Sequence, residues 1–502
     1  MIFNNHLPIT KQVDKRILRR IFRMVGRYLN QNNSPDTLVL NYLDPDEMRK
    51  KIDLKINNEG MDNEWLIKAL RKYLKYSVRT THRNFSNQLF SAFNFPSFVG
   101  EIIATLTNTT MATYEAAPVA TLIEQELIDK MNHLIGFKTA DNTADGIMVP
   151  GGSYANLMGL MCARYQAMPE TKDKGINGIR FRAFVSDQAH YSFKKMMNVI
   201  GMGTESLTEI PANEKGCMKT DLLEKAIEQS LKKGETPFFI GATAGTTVYG
   251  SFDPFREIAA IAKKYNLWLH IDGAWGGTLL LYKNKKKQKL LDGIQLADSF
   301  TWDAHKMMGV PLYASFFLTK HDGLMLKCNA VQGADYLFHS TENTTLDTGP
   351  KSLQCGRHVD ALKVWLAWKF YGDQGYSDMI NDLYSKVNYL KKIITKNPWF
   401  ELMTDPQYFN VCFRIVHPKS SIDMNDMNKE IRDRLLHSGS YFTNYSVLQN
   451  GTVFFRLIVN PTSTKSDYRD FLNKLISTTE SILKEKYLPD HSAHIFETAE
   501  DK

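Results

Sequence analysis

The chain is short of cysteine, of long apolar runs and of compositionally biased segments. Five cysteines, Cys162, Cys217, Cys328, Cys355 and Cys412, occur in 502 residues. Their number is odd and no two form a CxxC pair, so the spacing encodes neither a disulfide framework nor a zinc site. That usage fits a reducing compartment, and no metal is expected. No stretch approaches the ~20 apolar residues that span a bilayer. At the N-terminus, Lys and Arg recur through the only apolar stretch, which is not a signal-peptide pattern. These absences together predict a cytoplasmic protein with no membrane partner. Repeats and low-complexity tracts are also missing, which excludes solenoid architectures. The net charge of +8 is mild for this length. No recognition motif accompanies it, so nucleic acid is not an expected partner.

What is present is an ordinary globular mix, 43% hydrophobic and 23% charged, long enough for two or three domains. Residues 13–30 read as a helix, with Ile17, Leu18, Ile21, Phe22, Val25 and Leu29 on one face and six basic residues on the rest. Such a helix could lie on a membrane surface or pack on a partner subunit. The Asn- and Asp-rich segments that follow carry no anchor signal and favour the second. From about residue 80, helical patterns at 119–135, 220–233 and 254–265 alternate with short apolar runs around 184–186, 238–240 and 268–271. Strands spaced by helices predict an α/β domain with a mostly parallel sheet. Beyond residue 358 the pattern changes to helices at 359–370 and 376–396, strands at 409–415 and 453–459 and a last helix at 466–486, a smaller α+β domain. The expected division is 1–79, an N-terminal helical arm, 80–358, a large domain, and 359–502, a small one.

Three segments carry candidate chemistry. Pro150-Gly151-Gly152-Ser153 precedes a helical pattern from Asn156. A Gly-rich turn opening a helix can surround an anion with backbone N–H groups, or it can be only a tight turn. In Leu267 to Gly277, Asp272 ends an apolar strand and is followed by small residues that would let a flat ring approach. The alternative there is a helix cap. In Ser299 to Gly309, Lys306 follows His305 in a mildly apolar segment, where a lysine can form a Schiff base or simply face solvent.

With these three in order, the chain resembles the group II pyridoxal-phosphate decarboxylases, the set acting on glutamate, cysteine sulfinate and aromatic amino acids. The resemblance runs from about residue 80 to 475 and rests on NQL at 87–89, TYEAAPV at 113–119, SDQAHYS at 186–192, AGTTVYGSFDP at 244–254, HIDGAWGG at 270–277, HKMMGV at 305–310, DTGPKSLQCGRHVD at 347–360 and FFRLIVNP at 454–461. It is nearest the acidic-substrate branch. It implies the type I pyridoxal-phosphate fold, which is aspartate aminotransferase-like, and pyridoxal 5′-phosphate as cofactor. It also implies a homodimer whose partner the N-terminal arm contacts.

The resemblance assigns roles residue by residue. Lys306 matches the lysine that binds the cofactor covalently, and Asp272 the carboxylate paired with the pyridine nitrogen. His190 matches the histidine stacked on the ring, Ala274 the small residue on the other face, and Thr246 falls near the phenolic oxygen. The phosphate would be held by Gly152, Ser153 and Tyr154, with Ser299 and His305. Arg456 matches the arginine gripping a substrate carboxylate, and Tyr336 the loop tyrosine that protonates Cα. Gln88, Phe90 and Thr110 fall in the pocket for the substrate's side chain.

Departures from the family pattern sharpen the expectations. Asp303-Ala304 stands where relatives read Asn-Pro, and a carboxylate near a phosphate is repulsive unless turned away or paired. Ala155 replaces a frequent serine. Gly273 replaces an alanine, read as a harmless loss of one methyl. Phe90 stands where animal glutamate decarboxylases have serine, Thr110 replaces an asparagine, and Ala112 a phenylalanine. A ring at position 90 shortens the pocket, which favours aspartate or cysteine sulfinate. Glutamate is the alternative, because Ala112 returns some space. A non-catalytic homologue that only binds is disfavoured by the intact Lys306, Asp272, His190 and Arg456.

Overall fold

The computed structural model describes residues 14–32, 34, 36–90, 92–331, 333, 337–338, 344–417, 424–448 and 450–487. Seven strands form the main sheet: β1 (Asp145–Val149), β2 (Phe181–Ser186), β3 (Leu207–Ile210), β4 (Thr236–Thr243), β5 (Trp268–Asp272), β6 (Ser299–Asp303) and β7 (Ser315–Thr319). Their order is β1-β7-β6-β5-β4-β2-β3. Only β7 runs against its neighbours, pairing antiparallel with β1 and β6. The strands β1, β5, β6 and β7 are buried at every position. That explains why they read as continuous apolar runs rather than alternating ones: helices cover both faces. The core on one face of the sheet gathers Ile147, Met158, Phe193, Phe239 and Phe317, each 0% exposed.

The expected helices are present with their ends set by local chemistry. Pro118 opens Pro118–Ile135, where its missing N–H is no loss, and Gly136 at φ +88° closes it. Thr220–Lys232 and Phe255–Lys264 follow as read. The helix Ala361–Lys396 is broken at Gly372, φ +66°, which separates the two helices expected there. Phe400–Leu402, Asn410–Ile415, Asn444–Val447 and Val453–Ile458 make a second, smaller sheet. The fold is thus the type I architecture that the sequence implied.

By internal packing the chain groups into two compact units, one of Gln88–Arg414 with Arg456–Pro461, the other of Met1–Asn87, Ile415–Phe455 and Thr462–Lys502. In the second, the helix Lys15–Gln31 is capped by Asp14, which accepts from Arg16 N at 2.9 Å, and has no buried residue. Arg79 holds its far end, donating to Asn32 Oδ1 at 2.6 Å and lying 4.1 Å from the Tyr28 ring centre. Val39 N donates to Gly439 O and Ser86 N to Phe442 O, both at 2.9 Å. These bonds join the N-terminal segment to the C-terminal segments of that unit.

All five cysteines are free. Among the described residues no helix is long and apolar enough to cross a membrane, and no group of three or more His, Cys, Asp or Glu could hold a metal.

In the larger unit, Arg357 anchors the DTGPKSLQCGRHVD segment. Its guanidinium donates to Glu124 Oε1 at 2.6 Å and to the Met111 and Met148 carbonyls at 3.0 Å, and also to Thr348 Oγ1. Arg357 and Glu124 are 3% and 0% exposed at their side chains. Removing one partner strands a buried charge, so Arg357→Met is expected to lower unfolding stability by about 3–5 kcal/mol. A loss below 1 kcal/mol in denaturant unfolding would show that the pair is not an anchor.

Candidate active site

Ligands of open α/β sheets bind beyond the carboxyl ends of the strands, and here those ends carry the reactive side chains. β1 runs into Pro150 and Gly151, and Gly151 adopts φ +108°, a region closed to most other residues. The helix Gly152–Ala167 then starts with its free N–H groups at the sheet edge. β5 ends on Asp272. β6 ends on Asp303, and the short helix Ala304–Met307 presents His305 and Lys306. The turn after β2 supplies His190. The loop after β4 supplies Gly245 and Thr247, and it is pinned by Asp253, whose buried carboxylate accepts from Thr243 N at 2.8 Å and Met218 N at 2.7 Å.

These elements enclose a cavity of about 270 Å³, into which Gly152, Ser153, His190, Asp272, Ala274, His305 and Lys306 all converge. Sites for small molecules start at roughly 300 Å³, so the space suits one compact aromatic ligand. Asp272 accepts from Asn156 Nδ2 at 2.8 Å and from Ala274 N at 3.1 Å. Burial lowers the His190 imidazole below its ordinary range, against the pull of the Asp272 carboxylate. Ser192 N donates to His190 Nδ1 at 3.3 Å. His305 is also lowered by burial and accepts from Ala314 N at 3.2 Å.

Asp303 is paired. Its Oδ1 accepts from Ser315 Oγ at 2.6 Å, and its Oδ2 lies 3.1 Å from Lys306 Nζ and 3.7 Å from His305 Nε2. Of the two conditions under which a carboxylate is tolerable there, pairing is met. Asp303 also explains Gly152, since a Cβ at that position would stand 2.8 Å from Asp303 Oδ2. Gly273 corrects the sequence reading. The room left by the missing methyl is filled, because a Cβ there would lie 2.2 Å from Phe300 Cζ. The loss of the methyl is coupled to the ring on β6 and is not neutral.

Other expected residues lie outside this cavity. Tyr154 packs against the core cluster of the sheet. Thr246 is fully buried and its hydroxyl accepts from Ser251 N at 3.0 Å. Ser299 is buried beneath the cavity floor, bonded to His270 and Trp268. Gln88 is exposed and Phe90 half-buried, while Thr110 Oγ1 accepts from Arg357 N at 3.0 Å. Arg456 reaches the edge of the site by donating to the carbonyl of Thr247 at 3.2 Å. Tyr336 lies outside the described residues. Asn156, Thr243, Thr247 and Trp275 line the cavity as well and were not singled out from the sequence. For Asn156 a signal existed: it is the fifth residue of the helix behind the Gly-rich loop.

The donor set fits pyridoxal 5′-phosphate. An amine, a carboxylate and a helix N-terminus share one small cavity, and Gly152 and Ala274 keep it free of bulk. The pyridoxal-dependent decarboxylase conserved domain matches residues 45–416. This chain belongs to that family. Across 471 residues, 91% of this decarboxylase, it is 37% identical to the cysteine sulfinic acid decarboxylase of Rattus norvegicus, covering 94% of that protein. The cysteine sulfinic acid decarboxylase of Homo sapiens is 36% identical over 474 residues, 91% of this chain and 95% of that one. A crystal structure of mouse CSAD superposes with a TM-score of 0.88 at 34% identity, covering 92% of this chain and 98% of that one. The protein is therefore an amino acid decarboxylase with pyridoxal 5′-phosphate as cofactor.

Restoring the methyl at position 273 should be costly. Gly273→Ala overpacks the Phe300 ring beside Asp272, so we expect a loss of about 1–3 kcal/mol in unfolding stability, with weaker cofactor uptake in absorbance titration. A variant as stable as the parent would show that Phe300 moves freely.

Proposed function

We propose that this decarboxylase removes the α-carboxylate of a short acidic L-amino acid, cysteine sulfinate or aspartate, as a homodimer. The observation that carries the reading is the convergence of Lys306, Asp272 and His190 on one cavity with the Arg456 guanidinium held at its edge through Thr247. The likeness to cysteine sulfinic acid decarboxylases and the ring of Phe90 support a short side chain. The exposed Leu18 and Phe22 of the Lys15–Gln31 helix, 42% and 49% exposed, support a partner subunit over that face.

Each side chain has a task. Lys306 is the amine that binds the cofactor, and in the free site its charge is met by Asp303, 3.1 Å away. Asp272 would meet the ring nitrogen, His190 would cover one ring face and Ala274 the other. Gly152, Ser153 and His305 would hold the phosphate at the helix N-terminus. When bound, the cofactor supplies the electron sink for the bond that breaks at Cα. Arg456 would grip a substrate carboxylate and so fix which bond faces that sink. Net, carbon dioxide leaves and a proton takes its place on Cα, with Tyr336 the proposed donor. Glutamate is the second reading, favoured by Ala112 in place of a larger residue.

Carbon dioxide release from cysteine sulfinate, aspartate and glutamate, measured side by side, tests the reading. Release from one of the first two should dominate, and Lys306→Ala should abolish it. Steady turnover by that variant near the parent rate would refute the role of Lys306. Phe90→Ser should shift the ratio of specificity constants toward glutamate by roughly ten-fold or more, since one methylene is worth that much in a fitted pocket. An unmoved ratio would remove Phe90 from the pocket wall. A purified protein that stays colourless with added cofactor would favour a binding protein without catalysis.

A further inference from the structure

Behind Asp272 lies a buried polar chain that no part of the mechanism above uses. His270 and Asp272 are two apart on β5 and so face the same side of the sheet. In the parallel register they pair with Ser299 and Thr301 of β6. Asn156, the fifth residue of the helix Gly152–Ala167, sits over this rung. All five side chains are 5% exposed or less.

The hydrogen bonds have only one consistent direction. Asn156 faces Asp272 Oδ2 at 2.8 Å. A carboxylate oxygen there must receive a proton, so the Asn156 NH2 points to it, its other hydrogen reaching Ser192 Oγ at 3.0 Å. The Asn156 carbonyl is thereby turned to His270 Nε2 at 3.0 Å and Thr301 Oγ1 at 3.0 Å, and both must donate. His270 therefore carries its proton on Nε2. Its bare Nδ1 accepts from Ser299 Oγ at 2.7 Å. The other end is compatible with this: the Trp268 indole N–H can only donate, and it does so to Ser299 Oγ at 2.9 Å, which leaves the Ser299 hydroxyl proton for His270 Nδ1. The Asn156 amide thus makes its full complement of four bonds. The His270 ring is lodged among Phe193, Phe239 and Phe317, with centroids 5.8 to 6.3 Å away. Room for it exists because residue 159 is glycine, where a Cβ would stand 2.8 Å from His270 Nδ1. Burial in this apolar cage lowers the His270 imidazole to about 4, which keeps it neutral as the chain requires.

We propose that Asn156 and His270 are positioning residues for Asp272, acting as one directed chain from Trp268 through Ser299, His270 and Asn156 to its carboxylate. Asn156 on Oδ2 and the Ala274 N–H on Oδ1 fix the carboxylate plane toward the cavity. His270 keeps the Asn156 amide from turning its oxygen to Asp272, where two acceptors would repel. The proposal rests on the reading that Asp272 meets the cofactor's ring nitrogen. The chain is a feature of sequence-distant residues: 156, 192, 270, 272, 299 and 301 meet only through the sheet.

The test uses purified holoenzyme and three variants. His270→Phe places a fourth phenyl ring among three and removes both ring nitrogens. Asn156→Ala removes the donor itself, and His270→Gln can restore a donor to Asn156. Each is measured for cofactor affinity by absorbance titration, for the pH dependence of the bound-cofactor spectrum, and for kcat and KM separately. We expect His270→Phe to fold and load cofactor. Its spectral midpoint should move by about one pH unit and its kcat fall about ten-fold at little-changed KM, the size set by one bond to a charged group. Asn156→Ala should lose at least as much, and His270→Gln should recover part. If Asn156→Ala does not fold, the contrast between His270→Phe and His270→Gln decides. Variants that load cofactor and match the parent spectrum and kcat within two-fold would overturn the proposal. A parent enzyme that takes up no cofactor would instead overturn the reading of Asp272 on which it rests.

Discussion

A carboxylate buried at the end of a central strand is the constraint around which the larger unit is arranged. Asp272 has lost its water, so each of its oxygens needs a donor from the protein. One comes from the backbone of Ala274 and the other from Asn156. The first requires the tight turn after β5, whose Gly273 leaves no space against Phe300. The second requires the helix Gly152–Ala167 to start directly over β5, which in turn places the Gly-rich turn and its N–H groups at the cavity mouth. The geometry of the cavity is thus tied to satisfying one buried charge.

The same logic governs Asp303. Next to a lysine, a serine hydroxyl and a neutral histidine it is a paired charge, and its position limits residue 152 to glycine. Two carboxylates therefore bracket the cavity. Asp272 faces it with both oxygens engaged, while Asp303 faces the amine of Lys306. An amine beside a carboxylate is held in place before any ligand arrives. The cost of burying these charges is offset by donors from Asn156 and the Ala274 N–H for one carboxylate, and from Ser315 on β7 and Lys306 for the other.

Much of this was legible in the chain. The alternation of helices and short apolar runs predicts the layers, and the Gly-rich turn, Asp272 and the His305-Lys306 pair are each contained in a short segment. Such features are local: a strand end, a turn and a helix start follow from neighbours in sequence. Gly372 is a similar case, since the gap between two helical patterns at 370 and 376 appears as a break in one long helix. The expectation for Ser299 fared differently. The family resemblance assigned it to the phosphate, but the strand register points its hydroxyl to His270.

The sequence by itself determined the fold class and the order of the elements, and through the family resemblance it named the candidate side chains, because those depend on periodicity and short motifs. Only the tertiary structure decided which of them meet. The partner of Asp303, the clash that makes Gly273 non-neutral, the tautomer of His270 and the orientation of the Asn156 amide all depend on atoms brought together across strands from far along the chain. Hydrogen-bond direction is set by the whole closed set of donors and acceptors, and no segment contains that set.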